Sequence, residues 1–282
     1  MRNILYFLIL GLLVSVDATE QSTSIQAHYE IRDFKNSKQK LDGTNKVIEL
    51  EHQLNRHNFK ASYERTDTRT KFPIKEDLEV KKVFARYQYT INETWKLHTG
   101  FIHIDDNLVS TDGGKIYSLG TSYKVSKPLG FKLSAYYGDY DIMKTYQFDL
   151  KMVYKHQFSN IKSKTIIELK QINIRECQKG AICSNAEESY FTPGIKQSFS
   201  YFGNYVKAGA FFGKRTFAVM HDGFRVQHHA MEFDRTFMAG IGKKFNGFDA
   251  SVNFIYQNAE ELPMKNDDVE VRNVILSLAY SF

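Results

Sequence analysis

Proline is scarce, with four in 282 residues, and tryptophan occurs once. No stretch beyond residue 18 approaches the ~20 consecutive apolar residues that a membrane helix requires. That excludes a helical inner-membrane protein. The few prolines, the lack of a low-complexity linker and the even composition argue for one folded unit. Cysteine is also rare. Cys177 and Cys183 stand alone in a polar, turn-rich segment, with no His or Cys neighbours that would complete a zinc site. In an exported chain the leading expectation is a disulfide between them, worth about 2 kcal/mol for so small a loop. No metal and no organic cofactor is expected.

Export is what the front end predicts. Arg2 supplies a positive start, Ile4 to Val14 an apolar run too short to span a bilayer, and Val16-Asp17-Ala18 a small-residue cleavage site. Residues 1–18 are therefore expected to be a cleaved signal peptide, with residues 19–282 the mature unit; the alternative is an N-terminal anchor. Cleavage removes Arg2 and Asp17 together, so the formal charge stays at +6. A basic balance fits nucleic acid, anionic lipid or anionic solutes, and export argues against nucleic acid.

From Ser24 onward the chain repeats one pattern, about ten to fourteen residues of alternating polarity followed by a break. Ile25, Ala27, Tyr29 and Ile31 oppose Gln26, His28, Glu30 and Arg32. Val83, Ala85, Tyr87 and Tyr89 likewise oppose Arg86, Gln88 and Thr90. Fourteen such segments can be drawn, with twelve and sixteen the neighbouring even counts. The second carries His52 on its apolar side, and the ninth, 161–174, alternates poorly and is assigned because its neighbours need a partner. Breaks expected to be short, at 56–58, 92–93, 126–128, 159–160, 203–204 and 246–247, alternate with longer ones at 35–46, 66–77, 105–114, 139–144, 175–188, 219–230 and 259–268. Phe59, Tyr89, Trp95, Tyr123, Phe158, Tyr201, Phe245 and Phe248 gather beside the short breaks on the apolar parity, as an interfacial girdle would require.

The last segment is the clearest. Val274, Leu276, Leu278, Tyr280 and Phe282 alternate with the small Ser277, Ala279 and Ser281. This ending resembles the closing strand of Gram-negative outer-membrane β-barrels. Strand number and chain size resemble the monomeric porins of the outer-membrane protein G type. The resemblance implies an all-β fold, a closed antiparallel transmembrane β-barrel with short periplasmic turns and longer extracellular loops. It also implies an outer-membrane lipid setting, and recognition by the barrel-assembly machinery through Tyr280 and Phe282. The function it implies is that of a non-enzymatic channel for passive diffusion of ions and small hydrophilic solutes.

On the polar parity, acids and bases separate. The first three segments contribute Glu30, Glu49, Glu51 and Glu64, and the last ones add Glu232, Asp234 and Asp249. The fourth to eleventh contribute Arg86, Lys96, Lys124, Lys132, Lys151, Lys155, Lys162, Lys164, Lys170, Lys196, Lys207 and Arg215, against Asp149 and Glu168. In a closed ring the acids form one wall and the bases face them. Such a lumen is expected to favour anions weakly, since lysine is a point charge without the planar fork of arginine. The alternative is mutual neutralisation in a plugged interior. Inward glycines such as Gly120, Gly240 and Gly242 suggest open space.

Two other functions remain open from the sequence. A barrel enzyme acting on lipid or peptide would need a nucleophile, a histidine and a carboxylate. His28 and His98 are expected inward, and His221, Asp222, His228 and His229 in one outer loop, but no nucleophile elbow or metalloprotease helix appears. An adhesin or receptor acting through the outer loops has no motif in its favour.

Overall fold

The computed structural model describes residues 21–72, 74, 76–107, 111–227 and 231–282. The expected leader, residues 1–18, lies outside them, as does the His228-His229 pair. The chain forms β1 (Gln21–Lys35), β2 (Lys40–Leu54), β3 (His57–Thr70), β4 (Leu78–Thr90), β5 (Trp95–Asp106), β6 (Lys115–Lys124) and β7 (Leu129–Tyr140). It continues through β8 (Met143–Phe158), β9 (Ile161–Arg175), β10 (Ser189–Tyr201), β11 (Asn204–Phe211), β14 (Met231–Phe245), β15 (Phe248–Glu261) and β16 (Asn266–Ser281). The two-residue strands β12 (Val219–Met220) and β13 (Arg225–Val226) pair with each other as a separate small sheet that is not part of the wall. The other fourteen close into one barrel, every neighbour antiparallel, with β1 sealing against β16 from Ser24↔Ser281 to Lys35↔Glu270.

Alternation sets the faces. On β16, Val274, Leu276, Leu278 and Tyr280 are exposed on the outside, while Ile275 and Asn273 are buried within. An outer face this apolar is stable only in hydrocarbon. Aromatics bound it at two levels. At the short-turn end, Trp95 lies 4.6 Å from Tyr123, and Phe245, Phe248, Tyr280 and Phe282 form a continuous ladder of rings. Six residues further along the strands, Phe101, Tyr117, Tyr137 and Tyr146 form a second row. The interval is roughly 20 Å of strand, a fit to the thin apolar band of an outer membrane. His52, on the lipid-side parity, is satisfied by the Thr23 hydroxyl at 3.0 Å.

Several boundaries differ from the sequence expectation. The break at 35–46 is a four-residue turn, 36–39, and the break at 139–144 is a two-residue turn, 141–142. Polar segments continue as strand because outward charges pair above the apolar band. Arg65 reaches Asp67 and Glu79 at 3.1 Å each, Lys81 reaches Glu79 at 2.8 Å, and Lys144 pairs with Asp139. The turn expected at 203–204 is Phe202-Gly203, and Asn204 pairs with Tyr201. At Asn246-Gly247 both residues take positive φ, 47° and 83°, as a two-residue hairpin with that sequence demands.

The ninth strand is complete despite its blurred pattern. Its upper inward positions, Ile172 and Ile174, are buried in an apolar core, while outward Gln171 bonds Ser189. Both faces are mixed there, which erases the period.

The C-terminus closes the ring. Phe282 N–H donates to the Thr23 carbonyl, and Thr23 N–H to that of Phe282, both at 2.9 Å. Deleting Phe282 removes this pair and the outermost ring of the aromatic ladder. The expected outcome is a lower yield of folded barrel on heat-modifiability gels.

Candidate functional site

The interior is organised by residues 216–227, of which 219–227 are expected from the sequence in an outer loop and 216–218 ahead of it. They turn inward, and Phe217, Ala218, Val219 and Met220 are at most 6% exposed. They pack against Val80, Ile104, Ile116, Tyr140 and Ile172 from the surrounding wall. Each such burial contributes about 1.5–3 kcal/mol, so the apolar run holds the loop inside. Its backbone is satisfied by the wall. Gln147 on β8 acts as a surrogate strand partner, accepting from Val219 N–H at 2.8 Å and donating to the Val219 carbonyl at 2.7 Å. Lys170 on β9 donates to the same carbonyl at 3.1 Å.

The tip, His221-Asp222-Gly223, takes three successive positive φ angles of 52°, 61° and 100°. Gly223 is needed twice over: its φ disfavours a side chain, and a Cβ would lie 2.8 Å from the Phe84 ring. The tip carries one charge of each sign to opposite walls. Asp222 meets Lys151 at 2.7 Å and Lys132 at 3.0 Å; Arg225 meets Glu30 at 3.1 Å. Between them Phe224 packs at a tilt against Phe84, ring centroids 4.1 Å apart, and lies beneath the Lys60 ammonium at 3.8 Å and the Arg86 guanidinium at 5.5 Å. The opposed walls thus orient an inserted loop of matching polarity.

The walls are also neutralised locally. Glu30 holds Arg32 at 3.0 Å, Glu49 holds Lys60 at 2.7 Å, Glu64 holds Lys82 at 2.6 Å, and Glu51 accepts from Asn58 at 2.8 Å. On the basic side Glu168 collects Lys151, Lys170 and Lys196 at 3.2, 2.8 and 3.2 Å. Arg86 lies over Phe224, and Lys207 over the Tyr205 ring at 5.9 Å. Lys96 and Lys155 have no carboxylate within 4.0 Å among the described residues. Asp234 departs from its expected place. It sits at a bulge between Phe233 and Arg235, pairs with Arg235 at 3.1 Å and is 43% exposed, because the extra residue interrupts the inward parity. Arg215 lies beyond the end of β11, fully buried on a single bridge to Phe233. Cys177 and Cys183 are joined in a disulfide in the segment between β9 and β10.

The loop fills the β4–β9 side and leaves space elsewhere. On the short-turn side of the tip lies a cavity of about 540 Å³ lined by His28, Glu49, Lys60, Lys164, Lys207 and Arg225. It meets, at His221, Arg225, Met238 and Ile255, a gap of only about 90 Å³ on the long-loop side, walled by Glu30, Arg32, Lys82 and Gln257. Among the described residues that gap is the smaller of the two spaces. The inward glycines do not open space at their own positions: a Cβ at Gly120 would strike His98, and one at Gly242 would strike Tyr205.

One constellation resembles a nucleophile and its base. Ser277 Oγ lies 2.7 Å from His28 Nδ1, and His28 Nε2 lies 3.4 Å from Glu49. Glu49, however, also holds Lys60, and Ser277 lies mid-strand, paired with both β1 and β15, so backbone N–H groups there belong to the ladder. Those N–H groups are therefore not free to form an oxyanion hole at Ser277.

The tip responds to pH. Burial opposes ionisation of Asp222, yet Lys151 and Lys132 outweigh it and hold the carboxyl well below the usual aspartate range. Burial, reinforced by Lys196 and Arg225 against the pull of Glu168, keeps His221 well below the usual histidine range. In a released loop both groups return to ordinary values. Asp222 supports docking fully above the ordinary aspartate range and loses that support as pH falls toward its lowered value. His221, neutral when docked, gains a proton on release below about pH 6.5, which again favours release. Both slopes have one sign, but between about pH 7.5 and about pH 5 only His221 changes its contribution, and through it any current carried by the barrel should grow noisier over that window. An equally quiet current at both values would show that the tip does not move.

No family model matches the chain, and no curated protein matches it in sequence. Solved structures match its fold. A bacterial polysaccharide outer membrane secretin aligns with a TM-score of 0.58 at 10% identity, over 92% of this chain and 98% of that one. TodX deltaS2S3, a mutant monoaromatic hydrocarbon channel, aligns at 0.55 and 10% identity over 96% and 91%. The toluene transporter TbuX of Ralstonia pickettii aligns at 0.53 and 10% identity over 93% and 88%. At such identities the likeness is one of fold, the closed barrel of outer-membrane proteins.

Proposed function

We propose that the protein is a channel of the Gram-negative outer membrane through which ions and small hydrophilic solutes diffuse passively, with a weak preference for anions. The observation that carries this reading is the inserted loop, which leaves a small charged gap on one side of its tip and does not fill the space on the short-turn side. A structural plug would bury its charges against the whole wall. Here lysines of the basic wall, Lys96 and Lys155 among them, lack carboxylate partners, which supports the anion preference. Lipid would contact the outer face, and the assembly machinery would read Tyr280 and Phe282.

The test is a planar bilayer. Purified protein should give discrete conductance steps, and a salt gradient should yield a reversal potential displaced modestly toward anions. Lys96→Glu with Lys155→Glu should shift that potential toward cations. A silent barrel that instead hydrolyses a chromogenic ester, with turnover lost in Ser277→Ala, would replace the channel reading by the enzyme one.

A further inference from the structure

We infer that the cavity beneath the inserted loop is a binding site for a hydroxylated organic anion, such as a sugar carboxylate. The inference rests on the channel reading, since it names the solute class that this lumen would hold. Three lysines share one level of the wall: Lys164 and Lys207 line this cavity, and Lys155 lines the adjoining space that Lys164 also borders. Lys155 on β8 stands directly opposite Lys164 on β9, and Lys164 is separated from Lys207 on β11 only by Ser198. Strand spacing puts the first two about 5 Å and the second two about 10 Å apart at the backbone. Like charges directly opposite each other are destabilising unless an anion lies between them. None of the three has a carboxylate within 4.0 Å among the described residues.

The acids that line the same cavity are already engaged. Glu49 is held by Lys60 and His28, and Asp249 by the Tyr205 hydroxyl at 2.6 Å and by Lys244 at 3.5 Å. The cavity therefore presents uncompensated positive charge. Beside these engaged acids the lining carries uncharged polar side chains, Gln26, Ser251, Asn253 and Ser277. A bare inorganic anion has no use for those side chains, whereas a ligand carrying hydroxyls beside its charge can bond to them and to the lysines. The aromatic faces of Tyr205 and Phe224 complete the lining, and about 540 Å³ is the size range of small-ligand pockets. Lysine ammonium groups, as point charges, neutralise a carboxylate without demanding one geometry, as suits a solute that must also leave.

Calorimetry on the full-length barrel in detergent tests this independently of conduction, with sodium glucuronate, glucose and sodium acetate as probes. Glucuronate should bind at least about tenfold more tightly than either glucose or acetate, and Lys164→Gln with Lys207→Gln should remove about tenfold of that affinity. If the double variant fails to fold on a heat-modifiability gel, Lys164→Gln alone provides the comparison, with a smaller loss expected. Acetate binding as tightly as glucuronate would overturn the hydroxyl requirement, and glucose doing so would overturn the anionic one. A barrel that conducts but does not bind glucuronate refutes this inference and leaves the channel standing. One that binds it but never conducts refutes the channel and leaves the site.

Discussion

Exchanging Asp222 for lysine should expel the tip of the inserted loop and raise single-channel conductance several-fold. In the native protein Asp222 is the one acid that the loop offers to the basic wall, at 2.7 Å from Lys151 and 3.0 Å from Lys132. Removing one partner of a buried ion pair costs about 3–5 kcal/mol, and its 32% side-chain exposure sets the loss toward the lower figure. Lysine at this position adds repulsion to that loss. The loop's apolar segment, Phe217 to Met220, stays packed against the wall, so the expected change is a mobile tip with the barrel intact. Planar-bilayer recording checks it: larger, noisier openings in Asp222→Lys, and an intermediate effect in Asp222→Asn. Unchanged conductance in both would mean that the gap beside Arg225 does not limit the current.

The loop also marks where the sequence ceased to be legible. The strand number, the lipid-facing set and the short turns follow from a period of two and from turn chemistry, both local properties. Loop insertion is not local. It depends on Gln147, Lys170, Lys132, Lys151 and Glu30, residues drawn from four strands, all meeting one hairpin. A signal was present all the same. Phe217, Ala218, Val219 and Met220 are too apolar for a water-facing loop, and inward Ile102, Ile104, Ile116 and Ile172 are too apolar for a water-filled lumen. Each excess accounts for the other. The same blindness applied to the charges. Parity placed acids and bases on opposite walls, but it could not show that Arg32, Lys60 and Lys82, inward among the acids, would neutralise them pair by pair. Asp234 was misplaced for the converse reason, since a bulge is one residue of disorder in an otherwise regular count.

Lys170 is where the barrel wall and the loop depend on the same side chain, and its loss should be the most destabilising single change in the lumen. It is fully buried, 2.5 Å from Asp149 and 2.8 Å from Glu168, which are each 1% exposed. Lys170→Ala leaves Asp149 with the Gln147 amide as its remaining hydrogen-bond partner among the described residues, at 2.7 Å, while Glu168 keeps Lys151 and Lys196. Stranding a buried carboxylate in this way costs about 3–5 kcal/mol. The Val219 carbonyl also loses one of its two donors, so the loop loosens with the wall. Folded Lys170→Ala barrel should convert to the unfolded form at lower urea concentration in detergent, and its channels should flicker at neutral pH. The origin of the loss can be separated from simple packing. Replacing the pair together, Lys170→Met with Asp149→Leu, removes both charges and keeps the volume, and such exchanges are often neutral or stabilising. Recovery of the urea midpoint in that double variant would assign the cost to the stranded acid, whereas a deeper loss would assign it to the geometry that the ammonium group imposes on the loop.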